Sequence, residues 1–112
     1  MYKYLEHQGK KFPIRISNTV LGEWQAATGK TDMKNLNFRD IRILMTESLK
    51  AGYRFAERDW AMKEIQIEEM VDDQKTIENF LLLIPEFYPS EEKIEGDVSE
   101  GNLKAQPKNK QT

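Results

Sequence analysis

The spacing of apolar residues along the chain lengthens from two to about 3.6 after Ile16, and that change sets the first boundary of the fold. Tyr2 and Tyr4 alternate with Lys3, Gln8-Gly9-Lys10 offers a turn, and Phe12, Ile14 and Ile16 alternate with Pro13 and Arg15. Alternation on both sides of a glycine predicts a β-hairpin over residues 2–16 with one apolar face. Pro13 has no N–H to donate, which places the second run at an edge or pairs it on one side only. A lone hairpin is marginal in water and must pack on something, which the rest of the pattern makes helical.

Ser17 or Asn18 caps a first helix over 18–28, where Val20, Leu21, Trp24, Ala27 and Thr28 fall at helical spacing and Gly29 supplies a left-handed stop. Asn37, with Asp40 three residues on, opens a second helix running to Arg58. Its core stripe is Ile41, Leu44, Met45, Ser48, Leu49, Gly52 and Phe55 or Ala56. Gly52 costs this helix about 1 kcal/mol relative to alanine and so marks a close helix contact. A short third helix is expected over 66–73. From Thr76 to Ile84 the apolar residues Ile77, Phe80, Leu81, Leu82, Leu83 and Ile84 cover more than one helical face, and Pro85 is expected to end or kink that helix. Past Pro89 only Ile94, Val98 and Leu103 are apolar, too little burial to offset ordering entropy. The expected fold is therefore mainly α (α+β): a small N-terminal β-hairpin packed on a bundle of about four helices in one domain, 1–89, with a disordered polar tail, 90–112.

Charge and composition narrow the chemistry. Seventeen Lys and Arg stand against 19 Asp and Glu, a net charge of -2, so the protein lacks the overall positive field that draws proteins to nucleic acid. Arg39, Arg42, Lys50, Arg54 and Arg58 are the basic residues of the second helix, with Arg54 and Arg58 on one face, but Asp40, Glu47 and Glu57 lie among them and no basic recognition helix stands out. Cysteine is absent, which removes disulfides, thiolate nucleophiles and thiolate metal sites and fits the cytoplasm. No segment approaches the roughly 20 apolar residues that cross a bilayer, and Met1 to His7 has no apolar run of secretory length.

Two strings imitate catalytic motifs. Ala27-Thr28-Gly29-Lys30-Thr31 ends like a phosphate-binding loop, yet Trp24 stands where the earlier glycine belongs, and the glycine follows its helix instead of preceding it. His7 is the single histidine, which rules out a histidine pair. Glu64, Glu68, Glu69, Asp72 and Asp73 read as a solvated acidic face without the spacing of a calcium loop. No catalytic, cofactor-binding or metal-binding residue and no cofactor is expected, and the chain reads as a non-enzymatic protein that binds another protein. The all-round apolar run offers the surface: Phe80, Leu83, Ile84, Phe87 and Tyr88 are the candidate partner-binding residues, for a client or for self-association, with a central core helix as the competing reading.

The order of elements resembles the tail assembly chaperones of long-tailed phages and prophages. Phe12-Pro13-Ile14-Arg15-Ile16, Leu21-Gly22-Glu23-Trp24 through Thr28-Gly29-Lys30, Leu44 to Gly52, and Ile67-Glu68-Glu69-Met70-Val71-Asp72-Asp73 carry the likeness, across residues 8–88. The resemblance implies a protein that binds and shields the tape-measure protein in the cytoplasm of the bacterial host before the tail tube forms around it. The alternatives are a structural or self-assembling virion subunit, and behind it a small nucleic-acid-binding regulator.

Overall fold

The computed structural model describes residues 1–87; the expected tail, the domain limit at 89 and Tyr88 lie outside the described residues. An N-terminal antiparallel hairpin, β1 (Lys3–His7) and β2 (Lys10–Ile14), is followed by four helices: α1 (Asn18–Thr28), α2 (Phe38–Phe55), α3 (Glu64–Asp72) and α4 (Gln74–Phe87). Gln8 and Gly9 both take positive φ, 51° and 80°, the geometry that lets a two-residue turn follow the natural twist of the strands. The turn sets the register, with His7 opposite Lys10, Leu5 opposite Phe12 and Lys3 opposite Ile14.

That register divides the apolar residues differently from the expected single face. Residues directly opposite share a face, so Leu5 joins Phe12 and Ile14, while Tyr4 pairs with Pro13 on the other side. Leu5 and Ile14 are fully buried and Tyr4 is exposed. Tyr4 therefore lies on the outer side of the hairpin, while Pro13 opposite it is buried.

Helix α2 is the centre of the molecule and packs on β2, α1 and α3. Asn37 Oδ1 accepts from Asp40 N–H at 2.8 Å while Asp40 Oδ2 accepts from Asn37 N–H at 3.1 Å, a reciprocal capping box. Ile41, Leu44, Met45, Ser48, Leu49 and Gly52 are buried as the predicted stripe has them, and Ala51, outside that stripe, is buried beside them. The end differs: α2 stops at Phe55, and Phe55 is exposed. Glu57 takes a left-handed φ of 57° there, and Arg58 N–H turns back to the Tyr53 carbonyl at 2.9 Å. Arg54 and Arg58 consequently do not share a helical face. On the β2 side, Arg15 N–H donates to the Ser48 carbonyl at 3.0 Å, which ties the strand's exit to the helix.

The other helices follow local signals closely. Ser17 Oγ caps α1, and Gly29, at φ 77°, closes it through a 2.8 Å bond to the Gln25 carbonyl. α3 begins two residues before the expected start because Gln66 Oε1 accepts from Lys63 N–H at 2.7 Å. Asp73 ends α3 and caps α4, its Oδ1 accepting from Lys75 N–H at 3.0 Å. α4 packs on β1 and runs through Pro85 to Phe87, so of the two expected outcomes at the proline the helix does not end there. A proline frees the carbonyl four residues earlier, here that of Leu81, whose residue is exposed.

Candidate functional site

Four of the five residues expected to meet a partner can be placed. Phe80 is wholly inside the core with Thr76 and Ile77. Leu83, Ile84 and Phe87 are half-buried and pack on that core from α4, and Tyr88 is outside the described residues. Leu81 and Leu82 instead point outward, 39% and 70% exposed, with exposed Pro85 on the following turn. Periodicity could not distinguish these sides, because apolar residues occupy both.

A second surface gathers aromatic and cationic groups. Tyr2 and Tyr4 meet edge to face at 5.6 Å, and Tyr53 and Trp60 do so at 5.3 Å. The Arg15 guanidinium lies 3.9 Å from the centre of the Phe55 ring, and that of Arg58 lies 5.9 Å from the centre of Tyr53. The Tyr2 phenol is raised above its ordinary pKa by a hydrogen bond with Tyr4, and the Arg58 charge opposes the rise. The sequence held the residue types but gave no signal that the hairpin and the end of α2 adjoin.

The motif-like strings have structural partners. Lys30 Nζ stands 2.7 Å from Asp40 Oδ2 and 3.2 Å from the Asn35 carbonyl, so its charge is directed at the capping box of α2. Trp24 Nε1–H donates to the carbonyl of the same Asp40 at 3.0 Å. The Lys30 hydrogen bond holds the Asp40 carboxyl below the ordinary carboxylate range, burial opposes it, and the Asn37 N–H reinforces the lowering. A carboxylate whose folded pKa is depressed stabilises the fold above its unfolded pKa, and loses that contribution as pH falls through the folded value. Asp40→Asn should therefore lower the urea midpoint at about pH 7, with the difference from wild type shrinking toward about pH 3; a difference constant with pH would separate the ion pair from the stability.

His7 Nδ1 lies 2.6 Å from Thr76 Oγ1 and 3.5 Å from Asp73 Oδ2. Both contacts use one ring nitrogen and Thr76 is buried, so the trio joins β1 to the start of α4 without presenting a hydroxyl to a substrate. Glu64, Glu68, Glu69 and Asp72 are exposed along α3, and among the described residues no three His, Cys, Asp or Glu side chains come together as a metal-ligand set. Among those residues no helix is long and apolar enough to cross a membrane. No protein-family model, curated protein or solved structure matches the chain.

Proposed function

We propose that this protein is a non-enzymatic assembly chaperone of the long-tailed phage type, which binds the tape-measure protein in the host cytoplasm and shields its apolar helices until the tail tube forms. Two things support the reading: the order of sequence segments described above, and the outward-facing Leu81 and Leu82. The leucine pair is the observation that carries it. A folded domain gains nothing from presenting two adjacent leucines to water on a helix that already supplies the core with Phe80, and an apolar partner helix would remove them from solvent.

Burying a leucine side chain stabilises a contact by about 1.5–3 kcal/mol. Leu81→Asp with Leu82→Asp should accordingly weaken retention of the tape-measure protein at least about tenfold, with the thermal midpoint little changed because both positions face solvent. Co-purification and thermal denaturation of the same variant form the test. Undiminished retention by the folded variant would remove the leucine face from the reading. Recovery of the protein in the finished particle at a fixed copy number would replace the chaperone with a structural subunit.

A further inference from the structure

Two surfaces apart from the leucine face carry exposed apolar residues among charges of opposite sign. At the end of α2, Phe55 is 50% exposed, and Trp60, in the segment that follows, is 38% exposed. Arg58 is exposed in the same segment, and the Arg15 guanidinium lies over the Phe55 ring. Arg15 Nη1 donates to the Met1 carbonyl at 2.6 Å, which leaves the rest of its donor fork open.

Helix α3 turns Ile67, Met70 and Val71 inward, so Ile65, Glu68, Glu69 and Asp72 fall on its outer side. Ile65 is 57% exposed, and the three carboxylates lie within the next two turns of the helix. Among the described residues the ion pairs are Lys3 with Glu86, His7 with Asp73 and Lys30 with Asp40. Neither arginine and none of the three carboxylates takes part in one. The two surfaces are thus complementary: aromatic rings with open cations on one, an aliphatic side chain with open anions on the other.

We propose that the Arg15, Phe55, Arg58 and Trp60 surface of one chain docks on the Ile65, Glu68, Glu69 and Asp72 face of a second copy. The apolar residues leave water against each other while the charges around them meet the opposite sign. Guanidinium groups already held over Phe55 and Tyr53 lose little further freedom when they bind a carboxylate. Exposed ion pairs are individually weak, so the contact is transient and strengthens at low salt. The two surfaces differ from each other and belong to one chain, which makes the contact head to tail and leaves one of each open on every dimer. Longer rows of copies follow from the same contact. This inference stands apart from the chaperone reading, which rests on Leu81 and Leu82.

Analytical ultracentrifugation of the full-length chain at low salt tests it. The weight-average mass of wild type should rise at least about twofold between roughly 10 µM and roughly 1 mM, and salt near 1 M should largely reverse the rise. Arg15→Glu with Arg58→Glu removes one surface, and Glu68→Ala, Glu69→Ala with Asp72→Ala removes the other, so each variant alone should lose the rise. Mixed in equal parts, the two should form a heterodimer and nothing larger, because each supplies the surface that the other lacks. Circular dichroism melts check that both variants are folded, and Arg58→Glu alone, at an exposed position, serves if the Arg15 substitution disturbs the fold. A wild-type mass that stays constant with concentration overturns the proposal. So does a rise that survives in either folded variant, which places the contact on another face, or a mixture of folded variants that does not pair.

Discussion

Gly52→Ala should cost the protein about 3 kcal/mol or more, whereas Gly22→Ala should stabilise it by about 1 kcal/mol. Both glycines lie inside helices, where alanine is ordinarily the better residue because it restricts the unfolded chain and adds no strain. Gly22 follows the rule: a Cβ there meets nothing within 4 Å. At Gly52 a Cβ would run into the backbone of β2, at the Pro13 carbonyl and Ile14 Cα, all closer than 3.0 Å. Backbone cannot rotate aside as a side chain can, so the strand or the helix must move, and with it the Arg15 to Ser48 bond. Urea denaturation of the two variants reads both signs in one experiment. A stabilised Gly52→Ala protein would mean that β2 does not sit against α2.

Trp24→Ala has the second large effect, a loss of about 3–5 kcal/mol. Trp24 is among the largest fully buried side chains, and its indole N–H is bound to the Asp40 carbonyl, so the substitution opens a cavity and removes a buried hydrogen bond. Small domains have a total stability of roughly 5–15 kcal/mol, which leaves this variant near the edge of folding. Trp24→Phe separates the two contributions: it keeps most of the volume, removes the hydrogen bond, and should cost about 1–3 kcal/mol. Equal losses for alanine and phenylalanine would show that the hydrogen bond, not the packing, carries the site. Thermal melts followed by circular dichroism distinguish these outcomes without relying on the fluorophore that is being removed.

How much the sequence revealed depended on whether the deciding interaction was local. The caps at Ser17, Gly29 and Asn37 with Asp40 each close within a few residues, and the helices start or stop there as expected. The stripe of α2 was legible because its other faces are polar, which gives the periodicity a phase. α4 has no such contrast, so its membership in the bundle was legible but its orientation was not. Phe80 went inward and Leu82 outward because α4 packs on the preceding helix α3 and on β1, and β1 lies far away in sequence. The end of α2 was missed because Glu57, and no glycine, takes the left-handed turn. The tyrosines were assigned to the wrong face because the register is set by the turn at Gln8 and Gly9, and a shift of one position moves every side chain to the opposite side.

Strand β1 is joined to α4: His7 reaches Thr76, Asn79 Nδ2 donates to the Glu6 carbonyl, and Lys3 holds Glu86. Among the described residues the hairpin is made before α4, so β1 lacks the helix that packs on it until residues 74–87 are available. Helices α1 and α2 can pair meanwhile through neighbouring contacts, which form fast, while the closing contact spans nearly the whole described chain and forms late. A chain truncated before α4 would therefore show an unclosed core, and the docking of α4 on β1 is the step at which the described residues become one cooperative unit.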